Sequence, residues 1–421
     1  MGWVTPLGHD IESVWQRILN GDSGIAPTTN FDASTFPTQF AAEVKDFDLE
    51  GIVGAEIAAR HAAASLNSRF ALGAAKMAWA SSGLEQAPPK NPNRVGVYLG
   101  GGEGPIDFFN FAAAAVCAWR DGQLDTVEWA KIARERLNPK IELEQEPNLA
   151  ASHIVCMLRA QGPNFNTLTA CAASTQAIGE ATSIIRRGDA DVMVSGGTHS
   201  MIHPMGVTGF NRLTALSTRN ESYQTASRPF DRTRDGFVLG EGAAMVILED
   251  LDHARSRGAA ILGEIVGYGS TADAFRITDI HEDGRGGIAA MRRAVEDAGL
   301  TLNDIDYINA HGTSTEENDK IETLAIKSLF GDLAKKIPVS SVKSMMGHLI
   351  AAAGAMELIT CVLAIRDGII PPTINYENPD PNCDLDYVPN QPRKADLRTV
   401  LSNGFGFGGQ NDSLIVRRFD S

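Results

Sequence analysis

Short apolar strands alternate with helices built of small residues along nearly the whole chain, and that alternation leaves few architectures open. Val95-Gly-Val-Tyr-Leu99, 165–168, Asp191-Val-Met-Val-Ser-Gly-Gly197 and 243–249 read as strands, and 261–268, 306–310, 338–341 and 400–402 continue the series. Between them, apolar residues at helical spacing predict helices over 10–20, 55–82, 172–187, 287–298, 319–330 and 351–366. Strands interleaved with helices indicate a layered α/β fold. A polar helix end followed by a new strand across 254–263 divides the chain into two halves, 1–256 and 257–421. Met1 to Gly8 reads as a strand entering a loop, so a further strand is expected upstream. The stretch 108–149 reads as mostly helical, with Glu142, Glu144 and Glu146 expected on a solvated surface.

Composition excludes several classes of function. The net charge of −15 over 421 residues, without a clustered basic run, argues against a nucleic-acid partner. There is no apolar run of about eighteen residues to span a membrane. Cys117, Cys156, Cys171, Cys361 and Cys383 show neither paired nor CxxC spacing, which argues against a disulfide framework or a zinc site and fits a reducing cytoplasm. Gly100-Gly-Gly-Glu-Gly104 lacks the lysine of a phosphate loop and reads as a flexible turn.

Cys171 stands apart because Asn166-Thr-Leu-Thr-Ala-Cys-Ala-Ala-Ser174 puts it where a strand gives way to a helix. Unpaired N–H groups and the positive end of the helix dipole are expected to favour its thiolate, the nucleophilic form. His311 and His348 each end a strand beside glycine, in Asn309-Ala-His-Gly-Thr-Ser-Thr315 and Lys343-Ser-Met-Met-Gly-His-Leu-Ile350. Asn403-Gly-Phe-Gly-Phe-Gly-Gly-Gln-Asn411 is rich enough in glycine to let backbone approach a ligand.

With Arg228-Pro-Phe-Asp231, Asp235-Gly-Phe-Val-Leu-Gly-Glu-Gly242 and Pro371-Pro-Thr-Ile-Asn375, these stretches resemble the elongating β-ketoacyl-acyl-carrier-protein synthases, type II, over nearly the whole chain. The resemblance implies a thiolase-like fold of two similar halves in five αβαβα layers, and a homodimer. It implies decarboxylative condensation of a malonyl thioester with a cysteine-bound acyl chain in fatty acid elongation, or, as the alternative, in a polyketide or specialised lipid pathway. Substrates would arrive on the phosphopantetheine of acyl carrier protein, with no metal or organic cofactor.

By the same resemblance Cys171 is the nucleophile, and His311 and His348 bind the malonyl carbonyl and stabilise the enolate. Lys343 and Glu357 form an ion pair beneath them, and the N–H groups of Cys171 and Phe407 make an oxyanion hole. Thr313 and Thr315 hold the pantetheine arm, while Phe407 gates the entrance, which Phe210 also lines. Arg60, Arg69, Arg212 and Arg219 are candidate docking residues for an acidic carrier. Gln410, Met346 and Glu316 depart from the family pattern, and 101–148 is longer than usual. A thiolase would carry a second cysteine in the 404–411 loop, and a non-catalytic subunit would lack Cys171.

Overall fold

The computed structural model describes residues 1–102, 104–277 and 280–420. Glu103, within the glycine run noted above, lies outside the described residues. The first half contributes strands β1 (Gly2–Val4), β2 (Val95–Gly101), β3 (Asn164–Thr167), β4 (Val192–His199) and β5 (Gly242–Glu249). The second contributes β6 (Glu264–Ala272), β7 (Tyr307–Asn309), β8 (Val339–Ser340), β9 (Thr399–Gly406) and β10 (Gln410–Arg417). The sheets run in the orders β1-β5-β4-β2-β3 and β6-β10-β9-β7-β8. In each, the first two pairings are antiparallel and the last two parallel. The two halves therefore share one topology, with the strands of each taken in the order first, fifth, fourth, second, third.

Helices fill the spaces between and outside these sheets. Leading in from β1, α1 (Ile11–Asn20) starts where the Asp10 carboxylate accepts the Ser13 N–H at 2.8 Å, and it buries Val14, Trp15 and Ile18. On the outer face of the first sheet lie α2 (Leu66–Ser81) and α3 (Leu149–Leu158). The middle layer is α4 (Ala173–Arg186) and α7 (Ala353–Asp367), each touching both sheets. Beyond the second sheet, α5 (Arg285–Asp297) packs on β6 and β10, and α6 (Glu316–Phe330) packs on α5. The result is an αβαβα stack. Among the described residues no helix is long and apolar enough to cross a membrane.

The small residues of the middle layer are required by its thickness. A Cβ at Gly179 of α4 would lie 2.3 Å from the Tyr268 ring on β6, so any larger residue would push helix and sheet apart. On the other helix, Ala353 to Ile365 of α7 are all buried, consistent with a helix covered on every side.

Gly2–Val4 is a strand, as expected at the start of the chain, and pairs with β5 over Ala243–Met245. Other elements differ from expectation. The helix expected over 55–82 is two, Ala55–Arg60 and α2, separated by a turn around His61. Gln410–Arg417 is a strand that the sequence concealed, because Gln410-Asn-Asp-Ser413 is polar and Leu414-Ile-Val416 is too short an apolar run to mark it, although the strand is covered on both faces and buried from Asn411 to Val416. Residues 204–212 form a helix not expected from sequence.

Glu144 is buried, whereas Glu146 is exposed as expected. Its carboxylate accepts the Ser65 N–H and the hydroxyls of Ser65 and Ser68, each at 3.0 Å, and pairs with His153 at 2.8 Å. The His153 bond and those from Ser65 outweigh burial and pull its pKa down to about 2. Beyond His153, the ring nitrogens of His153 and His61 meet at 2.8 Å. This chain of bonds ties the long stretch after β2 to the body of the first half.

Candidate active site

Cys171 sits in a single 3-10 turn, Ala170–Ala172, between β3 and α4. Ala170 is held at φ +47°, a conformation costly for a residue with a Cβ. Thr167 and Thr169 donate their hydroxyls to the Gln176 side chain at 2.7 and 2.9 Å, which fastens the turn to the first coil of α4. The end of β9 presses against it: a Cβ at Gly406 would stand 2.6 Å from the Thr169 carbonyl and 3.2 Å from the Ala172 nitrogen. Glycine at 406 thus lets the backbone of Phe407 reach the sulfur. The N–H groups of Phe407 and of Cys171 itself both act on Sγ.

The expectation of a thiolate at rest is corrected here. Cys171 is 6% exposed, and burial pushes its thiol up to about 11. The nearby Lys343 ammonium and the two N–H groups only partly offset this, because desolvation of a charge outweighs a helix-end dipole.

His311 follows β7, where the Glu322 carboxylate of α6 accepts the backbone N–H groups of His311 and Gly312, each at 2.8 Å. His348 is pinned by its backbone to the Val238–Gly240 segment, through His348 N–H to Val238 O at 2.7 Å and Gly240 N–H to His348 O at 2.9 Å. The two rings meet edge to face, centroids 5.3 Å apart. Lys343 and Glu357, both fully buried, form an ion pair, and Lys343 also donates to the His311 carbonyl at 2.6 Å. Burial raises Glu357 toward about 7 against the pull of Lys343.

Both imidazoles are held well below their usual pKa by burial first and by Lys343 second, so both are neutral. Their tautomers follow from their partners. Nδ1 of His348 accepts the Ile350 N–H at 3.2 Å, and Nδ1 of His311 faces the Lys343 ammonium at 3.5 Å. Each ring therefore carries its proton on Nε2. Cys171 Sγ and one nitrogen from each ring lie within 4.8 Å of one another, a spacing that a soft metal could use. With protons on Nε2, however, the pair offers N–H donors rather than lone pairs. That suits an oxygen gaining negative charge.

These groups share a cavity of about 380 Å³, lined also by Thr313, Thr315, Phe405 and Phe407. The Thr313 and Thr315 hydroxyls meet at 3.0 Å. Phe407, one-third exposed, stands in the opening. Phe210 is not among the cavity's lining residues; it packs edge-on to Phe237, 5.5 Å between centroids, in the apolar cluster that also holds Cys171. Of the departures from pattern, Glu316 lines the mouth and Met346 is buried in the central core. Gln410 opens β10, directly after the Phe407–Gly409 turn.

Of the four arginines, Arg212 is exposed and adjoins Leu213, Thr214 and Ala215 at the mouth. Arg219 is tied to Asp235 at 3.3 Å, and Arg60 to Glu56 at 3.0 Å. Arg69 is exposed on α2. Sequence reasoning missed Glu322, which shapes the His311 loop; its signal was a pair of acids three residues apart, Asp319 and Glu322, on the buried face of α6.

Residues 1–254 match the family model described as "Beta-ketoacyl synthase, N-terminal domain", and residues 262–377 match its "C-terminal domain". The chain belongs to the β-ketoacyl synthase family. It is 43% identical over 418 residues to the "3-oxoacyl-[acyl-carrier-protein] synthase 2" of Coxiella burnetii, covering 99% of this chain and 97% of that one. It is 40% identical over 421 residues to the protein of the same name from Staphylococcus aureus, covering 100% and 97%. A β-ketoacyl synthase from Burkholderia phymatum superposes with a TM-score of 0.87 at 32% identity, covering 100% and 98%. A ketosynthase solved with its type II polyketide acyl-carrier protein superposes with a TM-score of 0.85, also at 32% identity and covering 100% and 98%. The fold is the thiolase-like fold of this family, with its two similar halves.

Proposed function

We propose that this β-ketoacyl synthase elongates acyl chains by decarboxylative condensation, giving a 3-oxoacyl-acyl carrier protein in fatty acid synthesis. One observation carries the reading: the buried Cys171 sulfur and one nitrogen of each of the buried His311 and His348 rings lie within 4.8 Å of one another, in one cavity. In the first stage the Cys171 thiol attacks the carrier's thioester, its proton passes to the departing carrier thiol, and the acyl group stays on sulfur. In the second, a malonyl thioester places its carbonyl oxygen between His311 and His348. CO₂ leaves, and the electron pair of the broken bond becomes an enolate held by the two N–H donors.

The enolate carbon then attacks the acyl-cysteine, whose oxyanion lies against the N–H groups of Cys171 and Phe407. Collapse expels the Cys171 thiolate, which takes up one proton. Each oriented donor of this kind contributes on the order of 3 kcal/mol to such a step. Lys343, paired with Glu357, positions His311 and fixes its tautomer. Thr313 and Thr315 bind the carrier's arm, and Phe407 swings to admit it. The hydrogen-bond donors these steps use are groups of the chain itself, and the one proton that the released Cys171 thiolate takes up comes from solvent, so the reading calls for no metal or organic cofactor.

The partners follow from the same reading. Acyl carrier protein docks at the mouth, with Arg212 and Arg219 nearest to it. A second copy covers the edge strand β3, where Phe165, and Leu168 just after the strand, are each about half exposed, together with the apolar groove lined by Phe36, Phe111, Trp119 and Met205. A homodimer in the cytoplasm is the assembly this supports. The second reading, a polyketide or specialised lipid ketosynthase, draws on the polyketide structures at 32% identity and on the long 101–148 stretch.

Intact-mass spectrometry after incubation with acyl carrier proteins bearing saturated chains of different lengths tests the proposal. An acyl adduct mapping to Cys171 is expected. No adduct with any saturated chain would overturn the fatty-acid reading in favour of the second.

A further inference from the structure

Two buried oxygens without a partner belong to residues lining the cavity and take no part in the reaction just described, Asp273 Oδ2 and Asn318 Oδ1, and the second belongs to a residue bonded to Thr315. Asn318, at the start of α6, lines the cavity yet is 6% exposed. Its Nδ2 donates to Asp319 Oδ1 at 3.1 Å, and the Asp319 carboxylate is itself held by the backbone N–H groups of Ser314 at 3.2 Å and Phe230 at 2.7 Å. This fixes the amide's orientation, because the flipped form would set Oδ1 against the carboxylate. Oδ1 is consequently buried and unpartnered. A buried amide oxygen without a donor is costly, and it calls for an N–H or O–H from whatever enters the cavity.

The same cavity presents Asp235, Asp273, Glu316 and Glu317 and, among its described lining residues, no lysine or arginine. Such a wall suits an uncharged ligand segment carrying hydrogen-bond donors. The geometry points to Asn318 Oδ1 as the acceptor for an amide N–H of the carrier's pantetheine arm. This inference rests on the condensing-enzyme reading. Asn318 follows Thr315 along the loop leading out from His311, and its N–H bonds the Thr315 hydroxyl at 3.3 Å. It therefore receives the outer of the arm's two amides, while the inner one stays beside the thioester.

Binding of pantetheine, which has both amides, and of N-acetylcysteamine, which has only the inner one, separates the possibilities. Asn318→Leu keeps the side-chain bulk and Asn318→Ala removes it; thermal unfolding checks that each is folded. In both variants the dissociation constant of pantetheine is expected to rise on the order of fivefold, the effect of one neutral hydrogen bond. That of N-acetylcysteamine is expected to stay within twofold. An equal rise for both ligands, or no rise for pantetheine, would overturn the assignment. Turnover of malonyl and acyl thioesters by the unmutated enzyme, measured separately, tests the condensing-enzyme reading on its own.

Discussion

Each half of the molecule bends its chain the same way between its third strand and the helix that fills the middle layer. In the first half the turn is Ala170–Ala172, entered at φ +47° and followed by α4. In the second it is Ile350–Ala352, entered at φ +45° and followed by α7. The central residue of one turn is Cys171 and of the other Ala351. The strained bend is therefore a property of the shared topology, and the sulfur is what the first half adds to it.

The second half adds something different. Between β3 and its turn the first half has only residues 168–169, whereas between β8 and its turn the second has 341–349, which brings in Lys343 and His348. The exit of β7 carries His311, and the matching exit of β2 carries glycines. On the proposed reading, one half supplies the nucleophile, and the other supplies the donors and the ion pair that orients them. The cavity lies where the two sets meet.

The largest expected effect comes from making the two turns alike. Cys171→Ala should lower condensation by ~10⁴-fold or more, because among the described residues no second cysteine lines the cavity; product formation from acyl and malonyl carriers measures it. Next is the ion pair of the second half. Lys343→Ala leaves Glu357 buried and unpaired and should cost about 3–5 kcal/mol in urea unfolding. A loss below about 1 kcal/mol would mean that the pair is not held as described.

A smaller effect concerns acidity. With the Cys171 thiol raised to about 11, its reactive form is gained as pH rises, so alkylation by iodoacetamide should quicken by about tenfold per pH unit from 7 to 10. A plateau below pH 9 would restore the thiolate expected from the helix end. The smallest expected effect is Ala351→Cys in the Cys171→Ala background, which should stay at background activity. Recovery there would break the division between halves.

Much of this was legible in the sequence. The strand and helix alternation and the positions of Cys171, His311 and His348 were each marked by small residues at strand ends. What escaped was set by tertiary burial. The protonation of Cys171 depends on a desolvation that no local pattern reports. Glu144 looks like a surface acid because its partners Ser65, Ser68 and His153 come from other segments. Asn318 gives no signal until Asp319 fixes which way its amide faces.

The claim that the halves divide the chemistry is tested most directly by CO₂ release from malonyl-acyl carrier protein in three variants. Cys171→Ala should retain CO₂ release, because the donors of the second half remain. His311→Ala and His348→Ala should each lose it by ~10²-fold or more, the worth of an oriented donor. Equal loss in all three would contradict the division, since the sulfur would then be needed for decarboxylation as well as for holding the acyl chain.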